Sequence, residues 1–448
     1  MADVDVVGDH EPLPSQPQEG LRRSSIGLVF FKFIGAVLLA SAACYLFIGN
    51  FNAWTPETEN HSLPLEEQDG LNIRSLRKES IVKEQQLKKE VCDLSVGEWV
   101  PNPAGPAYTD KTCNRIPKYN NCLKNGRPDR GYLYWRWKPR FCDLPPFDPV
   151  TFLHAMRHKS WAFIGDSIYQ NHVHSLLCQL SQVEEPHVIY HDPSFHIITF
   201  YFPSHNFTIY EIWSPLLLYY ETSDDDRDSS KKYMNLHLDI LDSTWTRFYN
   251  QYDYMVLSGS PWFYNPSIIF EKNEVIGCHY CPGLGLKEYG SAKAYRKALQ
   301  LSLNFIATSE HKPFVIVRTW PPNHFEAGES PTERVCNRTR PFREGEIIGT
   351  RVDLKMREVE VEEYEKAAPI IARNGVRIEL LDFYHLFLLR PDGHPGPYGN
   401  SPFDGLKKKN DKNDCIHWCL PGPIDTVNDM LMKMVMNGNA HDSASAML

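Results

Sequence analysis

From Ile26 to Ile48 nearly every position is apolar, and Lys32 is the only charged residue in the run. That length is about what a helix needs to cross the hydrocarbon of a bilayer. Lys32 sits close to Arg22 and Arg23, where its stem can reach the headgroups. No Lys or Arg follows between Phe51 and Ile73, so the charge bias keeps the N-terminus in the cytosol and sends the rest across. A cleaved signal peptide is the competing reading, but the run is long and begins late for one. The polar stretches on either side complete the predicted order. A cytosolic tail covers 1–25, a transmembrane signal anchor 26–48, a luminal stem 49–91 and a luminal folded domain 92–448.

Within that domain, short apolar runs alternate with helical spacing. Ser160–Ile164, Tyr254–Leu257, Pro313–Thr319 and Val376–Leu381 predict buried strands. Ile168, His172, Leu176 and Leu180 share one face of a helix over 168–180, and a second helix is predicted over Val359–Arg373. Strands alternating with helices predict a parallel α/β sheet with ligands at the carboxyl ends of its strands.

Charge and cysteine content narrow the function. The net charge is −9, with both signs mixed along the chain. No basic stripe offers to neutralise phosphates, which argues against a nucleic-acid partner. Of the cysteines, Cys44 lies in the apolar run, and Cys92, Cys113, Cys122, Cys142, Cys178, Cys278, Cys281, Cys336, Cys415 and Cys419 follow it. An even number beyond the membrane suits disulfides in an oxidising compartment. Cys278-x-x-Cys281 and Cys415-x-x-x-Cys419, with His279 and His417 beside them, are the alternative as zinc ligands, although the spacings match no standard ligand set. Sequons at Asn60, Asn206 and Asn337 permit glycosylation.

The candidate chemistry sits at a strand end. Phe163-Ile164-Gly165-Asp166-Ser167-Ile168 has the pattern of strand, sharp turn and helix. A serine there exposes its hydroxyl above the sheet and sets its own N–H at a helix N-terminus, where negative charge is stabilised. An acyl-transfer nucleophile needs both. The plainer alternative has Ser167 as a helix cap and Gly165 in a tight turn. A nucleophilic serine also needs a base, and the base an orienting carboxylate. Asp-x-x-His supplies the two together and occurs twice, as Asp382–His385 at the end of an apolar strand and as Asp414–His417 in a polar loop. The second pair is favoured. A loop between the last strand and last helix reaches the sheet's active edge, and flanking disulfides would hold it still. His385 is expected to be a hydrogen-bonded residue of the packed region.

Longer stretches carry a family resemblance: CDLSVGEWVPNP from Cys92, NCLKNGRPD from Asn121, YWRWKPRFCDLPPFDP from Tyr134, FIGDSIYQNHVHSLLC from Phe163, EVIGCHYC from Glu274, RPDGHPGPYG from Arg390 and DCIHWCLPGPIDTVNDML from Asp414. From Cys92 to the C-terminus the chain resembles the plant trichome-birefringence-like family of polysaccharide O-acetyltransferases. CDLPPFDP and VIGCHYC are most similar to the xyloglucan and mannan O-acetyltransferase branch.

The resemblance implies an SGNH-hydrolase-like α/β fold, a parallel sheet with helices on both faces and a smaller lobe. It implies Ser167 as nucleophile, His417 as base, Asp414 as its orienter, and Ser167 and Gly259 as oxyanion donors. It implies the disulfides Cys92–Cys142, Cys113–Cys178, Cys122–Cys419 and Cys336–Cys415, with Cys278 and Cys281 near enough to pair. The expected activity is acetyl transfer to a hemicellulose such as xyloglucan or mannan, in a single-pass type II protein of the Golgi membrane. No bound cofactor or metal is expected. An acetyl donor is required, acetyl-CoA or an acetyl carrier. Candidate partners are the polysaccharide acceptor, an acetyl-donor transporter and glycosyltransferases. Rival readings are a xylan or pectin acceptor, a luminal acetylesterase, and a non-catalytic polysaccharide binder using Trp135, Trp137, Trp262 and Trp320. Three stretches depart from the family's pattern: Gln170-Asn171, where Arg-Asn is usual, Ser258–Phe263, and Glu329–Val335.

Overall fold

In chain order the strands are β1 (Gly97–Pro101), β2 (Trp135–Pro139), β3 (Ser160–Gly165), β4 (His187–His191), β5 (Ile197–Phe202), β6 (Phe207–Trp213), β7 (Leu218–Asp225), β8 (Asp228–Leu241), β9 (Tyr254–Ser258), β10 (Ser267–Glu271), β11 (Glu274–His279), β12 (Phe314–Arg318) and β13 (Ile378–Leu381). The long helices are α1 (Ser167–Leu180), α2 (Ser291–Thr308), α3 (Arg351–Arg373) and α4 (Thr426–Ser445). The structure, a computed structural model, describes residues 92–225, 228–259, 261–326, 335–399 and 413–445. The predicted tail, anchor and stem, and with them Asn60, lie outside the described residues. Among the described residues no helix is long and apolar enough to cross a membrane.

The main sheet runs β13-β12-β9-β3-β6-β5-β4. Its first five strands are parallel, but β5 and β4 are antiparallel additions. The predicted parallel sheet is therefore mixed. The cause is local: β5 and β6 are joined by a short turn in which Asn206 takes a left-handed φ of 46°, and a parallel pair needs a crossover of a dozen residues or more. β9 and β12 are buried at every position. Burial on both faces is why such strands are continuous apolar runs in the sequence.

Alternate residues of those strands feed two cores. Phe163, Val256 and Ile316 pack with Val173 and Leu176 of α1 and with Met430 and Leu431 of α4. Ile164, Leu257 and Val317 face the other way, against Ala298 and Leu299 of α2 and Met356 and Val359 of α3. A second sheet, β11-β10-β8-β7, joins this second core through Met234, Leu236 and Ile269. The α3 helix begins well before the predicted Val359. Thr350 caps it by accepting from the Asp353 N–H at 3.1 Å, and the charged first turns hide its start in the sequence.

Five disulfides form: Cys92–Cys142, Cys113–Cys178, Cys122–Cys419, Cys278–Cys281 and Cys336–Cys415. The cysteines considered as zinc ligands are all among them.

Candidate active site

β3 ends at Gly165, and the chain turns through Asp166 into α1. A Cβ on Gly165 would lie 3.0 Å from the Tyr169 ring and 3.1 Å from Ser258 Oγ, so any larger residue would require those side chains to give way. Asp166, not Ser167, caps the helix. Its carboxylate accepts from the N–H groups of Ile168 at 3.0 Å and Tyr169 at 3.4 Å. Ser167 becomes the first helical residue, and its hydroxyl is left to bond elsewhere. Burial raises the Asp166 pKa, against the lowering charge of Arg318.

The hydroxyl bonds to His417. Ser167 Oγ lies 2.8 Å from His417 Nε2, and His417 Nδ1 lies 2.9 Å from Asp414 Oδ2. The other Asp414 oxygen accepts from the backbone N–H groups of Ile416 and His417 at 3.1 and 3.0 Å. A carboxylate only accepts, so Nδ1 carries the proton and Nε2 is free to accept from Ser167. Burial opposes the charge on Asp414, but hydrogen bonds from His417 outweigh it and hold its pKa down at about 2. Burial alone would lower His417; the hydrogen bond and charge of Asp414, with the charge of Asp166, raise it instead. The other Asp-x-x-His does not form a pair of this kind. Asp382 turns to Arg357 and to the Thr319 hydroxyl, each at 3.1 Å.

Several ties hold the Asp414–His417 loop. Asp414 exchanges backbone hydrogen bonds with Gly396 at 2.8 and 3.0 Å. Cys415 and Cys419 are disulfide-bonded to Cys336 and Cys122. The Trp418 N–H donates to Asn171 Oδ1 at 2.7 Å. His394 Nδ1 lies 2.7 Å from the His417 carbonyl, with its ring stacked on Trp418 at 4.1 Å.

Gly259 is buried immediately after β9, the strand beside β3. A Cβ there would overlap the Tyr295 hydroxyl, which donates to buried Glu360. Packing against Tyr295 thus demands glycine independently of any role in chemistry. Arg318 was not picked out in the sequence, although it closes the apolar run of β12. It is fully buried and donates to Ser258 Oγ at 2.8 Å. Burial lowers it to about 10 against the charges of Asp166 and Glu360.

On the other flank Gln170 donates to Glu211 Oε1 at 2.8 Å, and burial pushes Glu211 up to about 7. This is the partner of the unusual glutamine. Tyr119, 41% exposed, meets His417 edge-on with ring centroids 6.1 Å apart. Of the tryptophans considered for sugar stacking, Trp137 and Trp320 are core residues, 1% and 0% exposed. Their N–H groups are donated to Leu94 O and Asp353 Oδ1. Trp135 and Trp262 keep part of their surface open. Asn206 and Asn337 are exposed, and of the third divergent stretch only Val335 lies among the described residues. No group of three or more His, Cys, Asp or Glu among the described residues could hold a metal ion.

Comparison with known proteins agrees with the class that this geometry suggests. Residues 144–434 match PC-Esterase, the GDSL/SGNH-like acyl-esterase family found in Pmr5 and Cas1p, and residues 90–143 match the PMR5 N-terminal domain. Protein trichome birefringence-like 26 of Arabidopsis thaliana is 52% identical over 349 residues, 77% of each chain. Protein trichome birefringence-like 24 of the same plant is 40% identical over 434 residues, 93% of this chain and 100% of that one. Xyloglucan O-acetyltransferase 1 of Populus trichocarpa is 40% identical over 351 residues, 77% of this chain and 81% of its own length. The chain belongs to the trichome-birefringence-like proteins of the PC-Esterase family.

Proposed function

We propose that this protein transfers acetyl groups to hydroxyls of a cell-wall hemicellulose of the xyloglucan type, through an acetyl ester on Ser167. The observation that carries the reading is the hydrogen-bonded series Ser167–His417–Asp414 at the carboxyl end of β3. The name of the Populus relative supports the acceptor.

His417 Nε2 takes the Ser167 proton as Oγ attacks the acetyl carbonyl carbon of the donor, acetyl-CoA or an acetyl carrier. The N–H groups of Ser167 and Gly259 receive the negative charge that forms on the carbonyl oxygen. Collapse expels the donor's leaving group, which recovers the proton from His417. The acceptor hydroxyl then gives its proton to His417 and attacks the acetyl-serine. The ester passes to the sugar, and Ser167 Oγ regains its proton. Asp414 remains ionised throughout and holds the imidazole in the correct tautomer. The setting is the Golgi membrane, with a single N-terminal anchor over 26–48 and the catalytic domain in the lumen. Five disulfides suit that oxidising space, where Asn60, Asn206 and Asn337 would carry glycans.

Incubation with an acetyl donor and deacetylated xyloglucan, mannan or xylan tests this. Mass spectrometry should find acetyl on the Ser167 peptide and on xyloglucan, and neither in Ser167→Ala. Acetate release with no transfer at saturating acceptor would make the protein an esterase. An unmodified Ser167 alongside an acetylated polysaccharide would overturn the acyl-enzyme.

A further inference from the structure

β12 is apolar through Phe314, Val315, Ile316 and Val317 and closes on a charge, Arg318. The side chain is fully buried. Among the described residues no carboxylate is in ion-pair contact with it; Asp166 and Glu360 favour its charge from further away. Buried charges are ordinarily paired, so packing alone does not explain an arginine here. Its one short hydrogen bond runs from Nη2 to Ser258 Oγ at 2.8 Å. Nη1 stands 3.5 Å from His172 Nδ1, and Nε has no partner among the described residues.

The register shows what that bond reaches. Arg318 pairs with Ser258 of β9, and Leu257 pairs with Ile164 of β3, so Gly165, Ser258 and Arg318 form one row across three strands. Two residues earlier, Phe163, Val256 and Ile316 pack against α1. Side chains alternate along a strand, so the row lies on the α1 face, beneath the turn that delivers Ser167. A guanidinium has no acceptor, so Ser258 Oγ accepts from it, and the single hydroxyl proton is left for the Gly259 carbonyl 3.1 Å away. On the opposite side, where a Cβ would point, Gly259 meets the Tyr295 hydroxyl. That hydroxyl is bonded to Glu360, which also accepts the Trp320 N–H at 2.6 Å. Gly259 is thereby held from both sides. Its own N–H is buried and donates to no described residue. A buried N–H without an acceptor is rare in folded proteins, and this one stands at the end of the strand beside β3.

We infer that Arg318 is a positioning residue for the oxyanion: through the Ser258 hydroxyl it fixes the turn at Gly259, so that the Gly259 N–H stays directed at the acetyl carbonyl oxygen. The inference rests on the acetyl-transfer reading and adds what holds one of its two oxyanion donors. The guanidinium itself touches no reacting atom. Without it the Ser258 hydroxyl is free to rotate, and the N–H loses the preorganisation that makes such a donor effective. Charge on the carbonyl oxygen is full only in the tetrahedral state. The rate therefore falls, while binding of the uncharged ester does not.

The test uses the full chain as wild type, Arg318→Met, Arg318→Lys and Ser258→Ala, with 4-nitrophenyl acetate as donor. The maximal rate of Ser167 acetylation, the ester concentration at half that rate and the pH profile are measured for each. Arg318→Met and Ser258→Ala should lower the maximal rate about ten- to a hundredfold, less than the loss of an oxyanion donor itself. The half-saturating concentration and the acid limb set by His417 should stay where they are in the wild type. Arg318→Lys, which can still donate to Ser258 Oγ, should recover part of the rate. Ser258→Ala keeps the buried charge and decides the matter if Arg318→Met does not fold. A folded Ser258→Ala protein with the wild-type rate would overturn the inference. A loss that appears only as a higher half-saturating concentration, or as a moved acid limb, would do so too, because Arg318 would then act on binding or on the base. If wild-type Ser167 takes no acetyl group, the acetyl-transfer reading fails and this inference falls with it.

Discussion

At the scale of single residues, the geometry divides the work between two carboxylates. Asp166 spends one oxygen, Oδ1, on the start of α1; Asp414 spends one of its own on the imidazole. The hydrogen bond and charge of Asp414 do most to raise His417, with a smaller push from the charge of Asp166. The base works only when neutral, so wild-type activity should fall with acid through a midpoint above the ordinary imidazole value. Asp414→Asn removes the charge that raises it, and the acid limb should move to lower pH. The rate should also drop by about 10⁴-fold, because the proton is no longer held on Nδ1. A kcat/KM profile from about pH 5 to pH 9 measures both; an unmoved acid limb would mean that Asp414 does not set the base. His385→Gln is the paired control and should keep acetyl transfer, since Asp382 is already engaged by Arg357. The serine and histidine stand 250 residues apart in the chain, yet both were legible, because each belongs to a short pattern with a chemical reason. Asp166 as the cap was not legible. Asp-Ser offers two capping residues in succession, and only the backbone at the turn decides between them.

At the scale of elements, the catalytic loop carries no regular structure and depends on what surrounds it. His324 Nδ1 lies 2.7 Å from His394 Nε2, and His324 Nε2 lies 2.9 Å from Leu388 O. Burial pushes His324 down to about 4 and His394 below its ordinary value. Near neutral pH the pair therefore carries two N–H protons. Leu388 O and His417 O can only accept, so the ring nitrogens that face them are the donors. His394 thus holds the loop by one hydrogen bond to His417 O and one stack on Trp418. His394→Phe keeps the stack and removes the bond. A buried carbonyl left unpaired costs about 1–3 kcal/mol, and the drift of His417 should lower kcat roughly ten- to a hundredfold. Denaturant unfolding and the rate of acetyl transfer check the two parts. A variant with wild-type kcat at full stability would show that the disulfides alone place the loop. The main strands β3, β9, β12 and β13 were legible as apolar runs, but β4, β5, β7, β8, β10 and β11 were not. β4 shows why: all five of its residues are exposed, so no burial pattern marks it. In the second sheet Met234, Leu236 and Leu238 alternate with Asn235 and His237 along β8, a period of two unlike the continuous apolar runs of the main strands.

At the scale of the whole molecule, the N-terminal stretch matched as the PMR5 N-terminal domain, 90–143, is structurally part of the acyl-esterase body. Trp99 donates to Leu386 O at 2.8 Å. Arg127 donates to His394 O and Asp392 O at 2.8 and 2.6 Å, and so supports the segment behind His417. Leu420 donates its N–H to Asn120 O at 2.8 Å. Cys113–Cys178 and Cys122–Cys419 link the stretch covalently to α1 and to the catalytic loop. Trp99 and Trp137 share one buried cluster with Phe163, Leu176 and Met430. Removing 92–143 would strip that cluster of large side chains and leave Cys178 and Cys419 unpaired. Each lost cross-link costs about 2–4 kcal/mol, and together they approach the 5–15 kcal/mol that holds a typical domain folded. A secreted fragment of residues 92–448 should therefore fold and unfold in one cooperative transition, while 144–448 should fail to be secreted as a folded protein. Expressing the two in parallel, with free-thiol counting and thermal unfolding on whatever is secreted, distinguishes the outcomes. If 144–448 were secreted, melted like 92–448 and acetylated Ser167 at the same rate, the N-terminal stretch would be a separate module, and Arg127 would have no hold on the catalytic loop.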